Sequence, residues 1–373
     1  MAEQHLPRGR NLQLAALVLF AAAPLLAATG LLQVLGPLQG PVGQRELETL
    51  TAAVSKHQFL PGAMTYVALT TIHLFTCLVS IAFAWLVLRS SSHWRRFAGL
   101  GIGMAAFLLL LIVGLAWRSG QSVAAFRLSY LTFVDLYRNT GAEPSLLYPR
   151  VGPLTPLSIA AFFPTALGIA SVALTAAAAT SQLAQVFRRS FQTAEEEEAQ
   201  LCLVHSRIKR CAYLLSLVLV TSTVSAALFF QMPSKLYLSE EASGCCTAAM
   251  TSAAHVADAT AEATARDADI ARKRVELTRK RVEAFGAELT TFWGAVYTLT
   301  LMAAVGVPLL LVQKHLRDFL EQLKPPERAE ETRRRLAETG VLAGGGEQAK
   351  TLIAFVAPLV SAPVMSFLQA TVG

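Results

Sequence analysis

Residues 64–88 read MTYVALTTIHLFTCLVSIAFAWLVL, with no Lys, Arg, Asp or Glu among them. At ~1.5 Å of rise per residue, a helix of this length covers the ~30 Å of hydrocarbon in a bilayer. Lipid offers no water to a peptide group, so a stretch buried there must bond its own backbone, as a helix does. Five other blocks share this character: 12–35, 97–117, 156–180, 211–232 and 292–312. None of them contains a charged side chain either. The fold class that follows is all-α: a polytopic membrane helix bundle of about six transmembrane helices. A long extramembrane helix precedes the last span, and an apolar, proline-interrupted segment ends the chain.

Composition agrees. Apolar residues make up 54% of the 373 and charged residues only 15%, too apolar for an ordinary soluble chain. The net charge of +7 fits the concentration of Lys and Arg in cytoplasmic loops. No basic cluster is interleaved with aromatics, so no nucleic-acid partner is expected. The first block follows Arg8 and Arg10 and ends in small residues, which also suits a signal peptide. Its apolar run exceeds the ~7–15 residues of such a region, which favours an uncleaved first helix.

Orientation rests on the basic residues. With the N-terminus inside, inner segments hold 18 Lys and Arg and outer segments 14. Most of the outer eight before the sixth span lie in one long loop, where the rule weakens. The short RSSSHWRR turn (89–96) and the basic residues Arg188, Arg189, Arg207, Lys209 and Arg210 decide for the cytoplasm. Both termini are then cytoplasmic and the membrane is the inner one. Trp85, Trp94, Trp117 and Trp293 stand near block ends, as an aromatic belt requires.

Four regions are expected. Residues 1–232 form a five-span membrane region with helical loops. Residues 233–291 hold the long extramembrane helix, and 292–324 the sixth span with its cytoplasmic extension. Residues 325–373 form a cytoplasmic tail with a short charged helix, a glycine hinge and the last apolar segment. That segment carries Pro358 and Pro363; a re-entrant or interfacial element is preferred over a seventh span or a partner-binding tail. Thr193 and Glu196 form a capping box, followed by a helix running unbroken into the fifth span. The four glutamates at 195–198 suit its positive first turn. Pro24, Pro164 and Pro308 are candidate kinks.

With no acid or base in the spans, His73 is the one titratable candidate besides Cys and Tyr. Tyr66, Thr70, His73, Cys77 and Ser80 are spaced four, three, four and three, so they share one helix face. Two readings apply: a polar lining with His73 as gate or ligand, or a stripe buried against other helices with its hydrogen bonds satisfied internally. The second is favoured. Gly99 and Gly103, continued by Ala106, and Gly168, Ser171 and Thr175 on the fourth span, form small-residue faces for helix packing. Cys202, His205 and Cys211 cannot surround one ion on a straight helix, because nine residues at ~100° each carry Cys211 to the far side. No metal, no cofactor and no catalytic group is expected, and five cysteines give no disulfide framework.

The stretch ADATAEATARDADIARKRVELTRKRVEAFG (257–286) carries a heptad seam through Ala261, Ala268, Val275, Val282 and Leu289. The pairs Glu262–Arg266, Asp269–Lys273 and Glu276–Lys280 place acid four residues before base, the better orientation. Self-association, or a protein partner, through residues 245–290 is one reading; a solitary helix lying on its own bundle is the other. The expected function is a non-enzymatic multi-pass inner-membrane protein, oligomeric, acting as scaffold, signalling component or pore. Apart from the lipid bilayer, its partner would be a second copy or another protein. The alternative is a channel or uniport-type transporter that passes a small solute along the His73 stripe.

Overall fold

The structure, a computed structural model, describes residues 8–35, 63–118, 156–188, 193–236, 286–338 and 350–361, with single positions at 191, 273, 277, 280, 284, 341 and 364. Among them every regular element is a helix. In chain order these are α1 (Arg8–Phe20), α2 (Ala23–Leu35), α3 (Ala63–Arg89), α4 (Trp94–Arg118), α5 (Pro156–Arg188), α6 (Ala194–Leu236), α7 (Gly286–Gln322), α8 (Pro326–Glu338) and α9 (Lys350–Ser361). Five helices are long and apolar enough to cross a membrane, and α1 with α2 makes a sixth if the bent pair is one span.

A belt of large apolar side chains faces outward: Phe75, Leu86, Phe107, Leu110 and Leu310 are each more than half exposed. In water such a belt would be a severe aggregation surface, whereas in lipid it costs nothing. The chain is therefore a membrane-embedded helical protein. Aromatic contacts mark both ends of the bundle. Trp85 meets Trp94 edge-on at 5.8 Å, and Trp293 lies against Phe292 and Tyr297 at the opposite end of the span.

Helix α5 is the axis of the bundle and contacts α1, α3, α4, α6 and α7. Every residue from 171 to 186 is buried. The run Ala176–Ala179 makes this possible, since small side chains let neighbouring backbones close in from all sides. Helix α4 approaches through Gly101. A Cβ there would stand 3.0 Å from Ala177 Cβ and 3.2 Å from the Ala173 carbonyl oxygen. Gly99 and Gly103 lie on the exposed face of α4, and a Cβ at either would meet no described atom within 4 Å.

Two prolines act differently from one another. The first block is not a straight span: it breaks at Ala21–Ala22, and its halves diverge by 42°. Pro24 falls in the first turn of α2, where its missing N–H costs nothing, but it cannot continue the ladder of α1. In α7 the ladder survives. Met302–Gly306 widens to a π-helical turn just ahead of Pro308, which has no N–H to give to the residue four before it. Pro164 sits inside α5 without breaking it.

Helix α6 has 43 residues, or ~65 Å, about twice the hydrocarbon thickness. It is unbroken, as expected, and Thr193 caps it: Thr193 Oγ1 accepts from the Glu196 N–H at 3.2 Å. Its glutamates also tie down α7 and α8. Glu195 pairs with Arg328 at 3.0 Å, Glu198 with Arg335 at 3.5 Å, and Glu197 lies 3.8 Å from His315. Exposed pairs of this kind contribute ~0–1 kcal/mol each. The stronger anchor of α8 is Leu336, 1% exposed, which joins the core together with Val341.

The described part of the C-terminal helix α9 is 12 residues, ~18 Å, shorter than the thickness of the hydrocarbon. It docks on α6 and α7. The Ser216 hydroxyl donates to the Ala354 carbonyl, Gly294 lies under Pro358, and Gly306 under the Phe355 ring. Its other face, with Leu352 and Ile353, is exposed.

Candidate functional site

Two faces separated in the sequence form one seam in the structure. The stripe on α3 turns inward, and His73, Cys77 and Ser80 are buried. It meets Gly168, Ser171 and Thr175 of α5. Gly168 lies beside the imidazole, with its Cβ position 3.8 Å from His73 Nε2. Ser171 Oγ donates to the Cys77 carbonyl at 3.3 Å and to the Leu167 carbonyl at 2.9 Å, and Ser80 Oγ lies 3.5 Å from Thr175 Oγ1. Toward the other end of α3, Thr70 is half-buried and the Tyr66 ring packs on Phe229 of α6 at 5.8 Å.

His73 is held from both ring nitrogens. Nδ1 is 3.0 Å from Thr221 Oγ1, and Nε2 is 3.5 Å from Cys77 Sγ. Thr221 donates its own hydroxyl to the α6 carbonyls of Leu217 and Val218, at 3.0 and 2.9 Å. In the tautomer protonated at Nδ1, His73 donates to Thr221 and Nε2 accepts the weak Cys77 S–H. Thr76 adds a bond to the His73 carbonyl at 2.8 Å and reaches Thr221 Oγ1 at 3.2 Å. Next to Thr221, Ser222 Oγ donates to Tyr297 Oη on α7 at 3.2 Å. Thr221 and Thr76 escape a sequence reading because a hydroxyl on an apolar helix has no pattern until its partner is known.

A second polar junction, at the basic end of the bundle, is larger than the sequence suggested. The fourth apolar block ends at 180, but α5 continues to Arg188 and carries Gln182 and Gln185 inward. Gln182 is fully buried. Its amide donates to the Val87 carbonyl at 3.0 Å, and its Oε1 accepts from Arg207 Nη1 at 3.1 Å. Arg207 also donates to Ser90 Oγ at 2.9 Å. Gln185 donates to the Ser90 carbonyl at 3.3 Å and accepts from Gln200 at 3.1 Å. The α3–α4 turn is thereby bolted to α5 and α6. The legible signal was QLAQ (182–185), two amides three residues apart just past an apolar run.

Cys202, His205 and Cys211 lie on the one continuous helix α6, with His205 and Cys211 buried and Cys202 half-buried. Of the heptad seam, Leu289 alone lies among the described residues, and there it is buried by this chain's own helices. Ala261, Ala268, Val275 and Val282 lie outside the described residues, as do Cys245 and Cys246.

Fold and seam together define a polytopic helical membrane protein with a packed, internally hydrogen-bonded core. Compared with known proteins, the chain matches no family model, no curated protein and no solved structure.

Proposed function

We propose that the protein is a non-enzymatic, multi-pass inner-membrane scaffold or signalling component with both termini in the cytoplasm, self-associating through residues 245–290. The observation that supports a scaffold over a conduit is the burial of α5 on every side from 171 to 186. A solute path along the bundle axis would have to displace that helix. Its hydroxyls Ser171 and Thr175 engage Cys77 and Ser80 of the α3 stripe, which suits a rigid anchor for an outer rod. The spans carry no acid to serve as proton carrier or catalyst. On this reading α9 is a re-entrant element, consistent with its length and its docking on α6 and α7.

The rod is the testable part. Cys245 and Cys246 would face an oxidising compartment, where disulfides persist. Parallel rods in register bring equivalent cysteines together. A non-reducing gel should therefore show a dimer that disappears when both become serine. Val275→Asp with Val282→Asp should abolish it too, because charges in a packed seam go unpaired. A wild-type protein that stays monomeric in mild detergent with both thiols free would refute self-association.

A second reading, a channel or uniport-type transporter along the His73 stripe, is favoured by the hydroxyls of Thr70 in that stripe and of Ser225 and Thr298, which are buried with no hydrogen-bond partner among the described residues. Such groups invite water or a polar solute. The two readings separate on His73→Ala. A scaffold predicts a loss of roughly 1–3 kcal/mol of stability from the lost His73 hydrogen bonds and packing, with solute flux in proteoliposomes no different from protein-free vesicles. Flux in the wild type that the substitution changes, or whose pH dependence it changes, would establish the channel.

A further inference from the structure

At the basic end of the bundle a groove of about 590 Å³ runs between α1 and the ends of α5 and α7, lined by Gln13, Leu14, Leu17, Phe20, Phe187 and Leu311. That volume falls within the ~300–1,000 Å³ of small-molecule sites. The walls are apolar apart from Gln13, which stands at the end nearest the basic residues. Phe20 in the wall is exposed, as are Leu12 and Leu310, each next in sequence to a lining residue; in a bilayer such apolar surroundings open the groove to hydrocarbon. An occupant must arrive through the bilayer. One turn beyond Leu311 stands Lys314, exposed and without an ion pair among the described residues. Its neighbour His315 is turned away toward Glu197 and lies edge-on to Phe187, closing the floor. On α1, Arg10 precedes Gln13 by three residues, placing a second basic position at the same end.

We infer that this groove is a binding site for an anionic phospholipid of the leaflet at the basic face. One acyl chain lies along Leu14, Leu17 and Phe20, and the phosphate sits at Lys314 and Gln13. The match is between a ligand with an apolar tail and a negative head and a groove with an apolar floor and a positive rim. A lysine beside an anionic headgroup draws it electrostatically, whereas a zwitterionic headgroup gains little. The site stands whether or not the outer rod associates, since it uses no residue of that segment.

Native mass spectrometry of the full-length protein in mild detergent, titrated with phosphatidylglycerol or with phosphatidylcholine of the same chains, tests this. The wild type should retain one phosphatidylglycerol and prefer it roughly fivefold, the worth of one surface lysine beside an anionic lipid. Lys314→Gln alters an exposed side chain and should bring that preference close to unity with folding intact. Ala16 also lines the groove, so Ala16→Trp places an indole in it and should lower retention of both lipids by roughly tenfold. Equal binding of the two lipids by the wild type would overturn the headgroup assignment. So would a preference that Lys314→Gln leaves unchanged. Unaltered retention in a folded Ala16→Trp protein would overturn the acyl site. A second copy of the chain held in place of lipid, lost with Ala16→Trp, would assign the groove to a protein contact instead.

Discussion

Gly294→Leu is expected to expel the C-terminal helix from the bundle. A Cβ at this position would stand 2.8 Å from the Pro358 carbonyl oxygen and 3.3 Å from Leu359 Cα. Both are backbone atoms, so no side-chain rotation relieves the clash. Overpacking of this kind costs ~1–3 kcal/mol, occasionally more. Separation of the helices also removes the Ser216 bond to Ala354 and lifts Phe355 from Gly306. The far face of the helix, with Leu352 and Ile353, is exposed and adds no packing among the described residues. A cysteine placed at Ala357 should pass from protected to fully reactive toward a thiol reagent in detergent, with Gly294→Ala intermediate. Protection equal to the wild type in the leucine variant would show that α9 does not depend on this approach.

Gln182→Leu should be the most damaging single change at the basic end. Leucine fills a similar volume but offers no partner to the Val87 carbonyl or to Arg207. Loss of a buried hydrogen bond to a charged group costs roughly 2–3 kcal/mol. The measurement is the thermal unfolding midpoint in detergent, read as a double-mutant cycle. Arg207→Leu in the same protein should recover part of the loss, because the stranded guanidinium is then gone. Strictly additive effects of the two substitutions would mean that the Gln182–Arg207 contact carries no energy.

These residues show where sequence reasoning reaches and where it stops. An amide at the end of an apolar block reads as a loop-facing residue when only hydropathy is counted. Gln182 instead points inward, because α5 runs two further turns and α6 brings Arg207 to meet it. Gly99 and Gly103 fit the small-residue spacing, yet the approach is made by Gly101. A spacing names a face but not the neighbour, and the Ala173–Ala177 backbone decides which face is used. The α3 stripe was legible as a face, and its burial was the favoured reading. Its partners Thr221 and Ser171 were not, since they lie 148 and 94 residues away in the chain.

The sequence by itself determined the helical membrane class, the number of apolar blocks, the Thr193 cap and the unbroken course of α6. Each is local: a block of ~20 apolar residues in lipid has no alternative to a helix, and a capping hydroxyl acts within one turn. Tertiary structure alone decided that α5 is the axis, that of the candidate kinks Pro24 and not Pro164 stands at a break, and that α9 docks on Gly294. It also joined the glutamates of α6 to His315, Arg328 and Arg335. In lipid the hydrophobic effect does not choose between helix faces, because tails and leucines are equally apolar. Close backbone approach and scattered hydrogen bonds make that choice, and both depend on pairs of residues far apart in the chain.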